Sequence, residues 1–198
     1  MVNHKEKRVV IISGPTGSGE STITREIVNK YPLFERLVTA TSRKSRLREK
    51  QGVDYYFFSK KDFQEEVRKK NIVEHTYIEN RDTYYGTYLP DLNDKIEREK
   101  NIIANVEHVG LRYYQEQYKA ASIFIDVESL DVIAERIKKR NPGMETDELE
   151  KRLDNARNEI ENQRSFYDYI VVNHEGKLSQ TVDKIIEILK KEGYNLTK

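Results

Sequence analysis

Apolar positions along this chain fall into two periods. Val9, Val10, Ile11 and Ile12 form an unbroken β-branched run, the pattern of a strand buried on both faces in the middle of a parallel sheet. Residues 102–106, 122–127 and 169–173 repeat that pattern, and polar or helical sequence follows each of them. Leu130, Ile133, Ala134 and Ile137 recur at helical spacing, as do Val182, Ile185, Ile186 and Leu189, which predicts two helices laid on the sheet. The alternation specifies an α/β protein with a central parallel sheet flanked by helices.

Two stretches break the pattern. Residues of about 39–89 are rich in tyrosine, arginine and other charged groups, with a short aromatic run at Tyr55-Tyr56-Phe57-Phe58; they are expected to form an inserted lobe. From about 139 to 155 the chain turns polar around Pro142-Gly143 and then resumes a helical pattern, as a lid over a site does. The core is then expected at about 1–38, 90–138 and 156–198 of one domain.

Composition narrows the partners. Thirty-five lysines and arginines against 34 acids leave a net charge of +1, no general reason for binding nucleic acid or an anionic membrane. The mean hydropathy of -0.84 is too polar for a membrane span. The apolar run near the start is short and leads into a glycine loop rather than a cleavage site, so a cytoplasmic location is expected. The chain has no cysteine, which removes thiol chemistry and cysteine-ligated zinc. The four histidines are scattered without zinc-ligand spacing.

The chemistry begins directly after the first strand. Gly14-Pro15-Thr16-Gly17-Ser18-Gly19-Glu20-Ser21-Thr22 fits the phosphate-binding loop pattern GxxxxGK[ST] except at the lysine. Gly14, Thr16, Gly17, Ser18 and Gly19 let backbone N–H groups converge on phosphate oxygens at a helix N-terminus. Ser21 is the expected magnesium ligand, with Thr22 beside it. Glu20 has the wrong sign. At an effective dielectric near 20, two unit charges about 4 Å apart interact by roughly 4 kcal/mol, so a carboxylate here opposes an ATP phosphate chain unless it turns to solvent or takes up a proton.

Further on come Thr41-Ser42-Arg43-Lys44-Ser45-Arg46-Leu47-Arg48-Glu49 and Gly52-Val53-Asp54-Tyr55. Arg43 and Arg46 can fork onto a monophosphate, with Tyr55 and Tyr85 donating to the same group. Glu74 can accept from the paired N–H groups of guanine, with Thr39 and Thr87 supplying hydroxyls. At these residues the sequence resembles the guanylate kinase family, whose members carry TTRxxRxGExxGxDYxF after the loop. The resemblance continues through Glu74, Tyr84-Tyr85-Gly86-Thr87 and Tyr167-Asp168-Tyr169.

The resemblance implies a nucleoside monophosphate kinase fold, ATP with Mg2+ as donor and GMP as acceptor. It places Thr39, Arg43, Arg46, Tyr55, Glu74, Tyr85, Thr87 and Glu107 in the GMP pocket. It puts Arg136, Arg140 and Arg152 against the phosphates when the lid closes, and Asn173 near the adenine. Three departures stand out: Asn105 in place of a carboxylate, Arg48 in place of a glycine, and a longer lid turn at Arg140-Asn141-Pro142-Gly143-Met144. Two functions follow, a guanylate kinase weakened at Glu20 and a guanylate kinase-like module that only binds GMP or a protein. A switch GTPase lacks support, because its NKxD element is missing. The sequence says nothing of oligomeric state.

Overall fold

The four apolar runs become strands of one sheet in the computed structural model, which describes residues 7–79, 82–106 and 108–196. They are β1 (Val9–Ser13), β7 (Asn101–Ala104), β8 (Ala121–Asp126) and β9 (Tyr169–Val172). A fifth strand, β2 (Phe34–Arg36), joins at one edge to give the order β2-β7-β1-β8-β9. All pairings in this sheet are parallel, so the α/β expectation holds. With three residues, β2 is too short for its periodicity to be read in the sequence.

The unbroken run in β1 is explained by its two buried faces. Val10 and Ile12 point to one side, against Ile23 and Ile27 of α1 (Glu20–Lys30) and Val182 and Ile185 of α7 (Leu178–Lys191). Val9 and Ile11 point to the other, against Leu92 of α3 (Leu89–Glu97) and Leu111 and Tyr114 of α4 (His108–Tyr118). These four apolar side chains of β1 are fully buried. At about 1.5–3 kcal/mol per buried aliphatic side chain, β1 is the fixed point from which the following loop emerges. The helix predicted around Ile133 and Ile137 is α5 (Leu130–Arg140), and after it comes α6 (Thr146–Asn162).

Residues 39–89 carry a second sheet of order β4-β3-β6-β5. Its strands are β3 (Ala40–Thr41), β4 (Tyr56–Phe57), β5 (Ile72–Ile78) and β6 (Thr83–Tyr88), with α2 (Lys60–Arg68) beside them. Phe63 of α2, Ala40 and Ile72 form its small core. One buried ion pair fastens this sheet to the parallel one. Asp91, at the start of α3 and paired with Lys95, accepts from the Val38 N–H (2.9 Å) and the Tyr56 hydroxyl (3.3 Å).

The longer lid turn is anchored rather than loose. Gly143 and Met144 donate to the Asn141 carbonyl at 3.0 and 3.2 Å, and Met144 packs on the cluster of Ile133, Ile137 and Leu149. Among the described residues no helix is long and apolar enough to cross a membrane.

Arg48 sits at φ 77°, the left-handed conformation that glycine adopts freely, in the turn closed by the Glu49 N–H on the Arg46 carbonyl at 3.1 Å. That conformation costs a non-glycine residue roughly 1–2 kcal/mol, against about 0.5–1 kcal/mol for the extra unfolded-state freedom of glycine. Arg48→Gly is therefore expected to stabilise the protein by about 0.5–1 kcal/mol, read as a higher urea midpoint at unchanged slope. A lower midpoint would show that this arginine is not strained.

Candidate functional site

The carboxyl ends of the parallel strands converge on one crevice, where open α/β sheets place their ligands. The glycine loop follows β1, Asn105 follows β7 and Asn173 follows β9. Gly17 and Gly19 adopt φ 86° and 94°, which turns the loop into the N-terminus of α1. A Cβ on Gly14 would lie 2.4 Å from the Ile125 carbonyl oxygen, and one on Gly19 would lie 2.4 Å from Asn173 Nδ2. The loop is gripped from outside. Asn173 donates to the Ser18 carbonyl (2.7 Å), while Arg136 donates to the Gly17 and Ser18 carbonyls (both 3.2 Å) and ion-pairs with Glu175. With its carbonyls held this way, the loop turns its concave side to a cavity of about 540 Å³ lined by Thr16, Ser21, Thr22, Arg136, Arg140 and Asn173.

A second cavity of about 350 Å³ lies between the two sheets, lined by Thr39, Arg43, Arg46, Tyr55, Glu74 and Tyr85 among others. Arg43 is fixed by a two-point ion pair with Glu49, at 2.8 and 2.9 Å, and its guanidinium lies over the Tyr55 ring at 5.4 Å. Glu49 also accepts from the Arg46 N–H at 2.6 Å. The Arg43 hydrogen bonds hold the Glu49 carboxyl down at about 2. At the opposite wall, a β-bulge between Val73 and His75 puts Glu74 at φ 47°. Its carboxylate accepts from Thr87 at 3.0 Å, and Thr87 in turn meets the Tyr114 hydroxyl. Thr87 is fully buried and stands behind Glu74.

A third cavity of about 690 Å³ joins these two beneath α6. Glu20, Arg46, Asn105, Arg140, Arg152 and Glu159 line it, with Lys151 beside them. Glu20 is half-buried and its carboxyl has no hydrogen bond or ion pair among the described residues. Burial pushes that carboxyl up to about 8, the Glu159 carboxylate adds to the push, and Arg36 opposes it. At neutral pH Glu20 is therefore largely uncharged. A phosphate chain placed against the loop would meet neither the repulsion of a carboxylate nor the attraction of a side-chain cation at that position.

The candidate residues therefore divide by place. Gly14, Thr16, Gly17, Ser18, Gly19, Ser21, Thr22, Arg136 and Asn173 line the first cavity; Thr39, Arg43, Tyr55, Glu74 and Tyr85 line the second. Arg46 borders the second and third, while Glu20 and Arg140 border the first and third. Arg152 lines only the third and is paired with Glu148 at 2.6 Å. Glu107 lies outside the described residues. Sequence reasoning missed Gly110, although a glycine inside a helical stretch is a signal of close approach: a Cβ there would lie 2.4 Å from Glu74 Oε1. It also missed Tyr114 and Glu159, whose spacing marks only a helix face.

The guanylate kinase family profile matches residues 6–192. The guanylate kinase of Desulfitobacterium hafniense is 34% identical over 186 residues, spanning 93% of this chain and 90% of the relative. That of Prochlorococcus marinus subsp. pastoris is 31% identical over 186 residues, spanning 93% and 97%. The crystal structure of guanylate kinase from Anaplasma phagocytophilum superimposes with a TM-score of 0.70 at 25% identity, covering 96% of this chain and 89% of that one.

The state of Glu20 generates a pH dependence. The folded chain keeps a proton to about 8 that the unfolded chain releases near 4.5, so stability falls as pH rises across that window and is level above it. Glu20→Gln is expected to remove this slope and to be more stable than the parent at pH 8.5 by on the order of 4 kcal/mol. The two proteins should unfold alike at pH 4, and parallel urea curves across the whole range would contradict the assignment.

Proposed function

The chain belongs to the guanylate kinase family, and from that premise we propose that it transfers the γ-phosphoryl group of ATP to GMP, giving ADP and GDP. The acceptor cavity carries this reading. Glu74, set on its bulge and backed by Thr87, offers the carboxylate that the N1–H and N2–H donors of guanine require and that adenine cannot use. At the other end of the same cavity Arg43, Arg46, Tyr55 and Tyr85 form a clamp for one phosphate. Base and phosphate recognition are thus spaced across one pocket open toward the glycine loop.

In the proposed reaction a phosphate oxygen of GMP attacks the γ-phosphorus, and the bond from that phosphorus to the oxygen of the departing ADP breaks. The chain supplies position and charge rather than a nucleophile. Loop N–H groups hold the donor phosphates, while Arg140 and Arg152, on the lid side, meet the transferring group as the lid closes. The donor oxygens beside the loop fit Mg2+: the Ser21 hydroxyl is exposed to the cavity, and Asn105 turns its amide nitrogen to Ile12 and Thr24 (2.9 and 3.0 Å), which leaves its oxygen uncommitted among the described residues. Ser21 would hold the ion, which neutralises phosphate charge when bound.

GMP is expected to bind without ATP, with heat and a thermal shift at millimolar concentration, and AMP to bind far less. Glu74→Gln should relax that selectivity by roughly tenfold or more while leaving the fold intact. Equal binding of GMP and AMP by the parent would remove the assignment. A parent that binds GMP yet forms no ADP from ATP, magnesium and GMP is a binding module.

Glu20→Lys tests the donor side. Returning an ammonium to a loop already shaped for phosphate is expected to raise ATP affinity and GMP-dependent ADP formation by about tenfold to a hundredfold. A coupled assay on both proteins reads it, and an unchanged or lower rate would mean that the position does not face the phosphates.

A further inference from the structure

The glycine loop lacks its cation, and only four cationic side chains line the cavity joining donor and acceptor sites among the described residues: Arg46, Arg140, Lys151 and Arg152. Three have other commitments. Arg46 belongs to the acceptor cavity, while Arg140, which also opens onto the donor cavity, and Arg152, paired here with Glu148, are the residues assigned above to the transferring group. Lys151 has neither a hydrogen bond nor an ion pair among the described residues. It also stands at the right place on α6. Lys151, Asn155 and Glu159 are spaced i, i+4, i+8 and line the same cavity as Glu20, so one stripe of the helix is turned to the start of α1.

We propose that Lys151 supplies from the lid the cation that the loop lacks, its ammonium reaching the transferring phosphates beside Glu20 when α6 closes. The inference rests on the phosphotransferase reading above and deepens it. A lysine suits the task because its ammonium is a compact point charge on a flexible stem, the same chemistry that a loop lysine brings to these phosphates. In the arrangement that follows, acceptor binding does not need Lys151, whereas donor binding in the closed state does.

The test is a double-mutant cycle with Lys151→Met and Glu20→Lys, read both by GMP-dependent ADP formation and by calorimetry of a non-hydrolysable ATP analogue in the presence of GMP and magnesium. In the parent, Lys151→Met should lower turnover and analogue affinity by about thirtyfold to a hundredfold, with GMP affinity alone unchanged. Where Glu20→Lys restores the loop cation, the same substitution should cost less than about threefold. Lys184→Met, on the exposed face of α7, controls for loss of one positive charge, and Lys151→Arg should recover part of the loss. Equal losses in both backgrounds, or none in the parent, overturn the role of Lys151 while leaving the phosphotransferase reading in place. Should the parent form no ADP, that reading fails by itself, and the calorimetric cycle still decides Lys151: uncoupled analogue affinities reject it and coupled ones support it.

Discussion

Everything at this site depends on how tightly the glycine loop is held from behind. Gly14 is pressed against the backbone of β8 and Gly19 against Asn173, each with room for a hydrogen and nothing larger. The carbonyls of Gly17 and Ser18 are then taken up by Arg136 and Asn173. The Ser18 N–H is itself taken by the Pro15 carbonyl at 2.9 Å, which closes the turn, whereas the peptide group whose Ser18 oxygen is fixed on one side presents the Gly19 N–H on the other, so the outward contacts leave that donor to the cavity. Such donors need no reorganisation when phosphate arrives, which is the condition for strong electrostatic binding. Arg136 and Asn173 thus act through the loop, as positioning residues.

The acceptor side is built on the same logic with opposite charges. Arg43 is charged and half-buried, and it is kept in place by Glu49 and by two aromatic rings. Glu49 spends its carboxylate on Arg43 and on the Arg46 N–H, so it orients the clamp instead of repelling a phosphate from open space. Glu74 is placed by a bulge, and its surroundings leave no slack: Thr87 lies on one side and Gly110 of α4 presses on the carboxylate itself. Because α4 packs on the parallel sheet and Glu74 lies on the smaller one, the group proposed to read guanine is located by the junction of the two. The Asp91 link to Val38 and Tyr56 holds that junction from the other side.

What the sequence disclosed follows from the range of the forces involved. The runs in β1, β7, β8 and β9 were legible because two-sided burial demands a β-branched residue at nearly every position. The three-residue β2 left no such trace, since its place comes from pairing with β7. The loop was legible because glycines at positive φ and a following hydroxyl are local requirements. Arg48 was legible as an oddity, and its φ of 77° shows that the turn keeps the glycine-like conformation while carrying an arginine. Gly110, Tyr114 and Glu159 stayed hidden because their partners are distant in sequence: Glu74 and Thr87 for the first two, Glu20 for the third. The grip of Arg136 on the loop was equally invisible, for an arginine on an exposed helix carries no mark of the carbonyl it will meet.

Glu20 changes when the donor site becomes complete. A loop lysine is a permanent charge, present whether the lid is open or closed, so a donor can be held before closure. With no cationic side chain there, the open site offers mainly backbone dipoles, and the cations that line the joining cavity stand on α5 and α6. Their attraction for the phosphates grows steeply as the lid approaches, because closure both shortens the distance and expels the water that screens it. If the proposed reaction holds, donor affinity and lid closure become a single equilibrium, in which the binding free energy of ATP brings α6 down. The acceptor pocket, with its charges already fixed in place, takes no part in that coupling. On the proposed reading, a chain that keeps its anion clamp rigid while placing its donor cations on a lid gains a gate on phosphate transfer and gives up affinity in the open state.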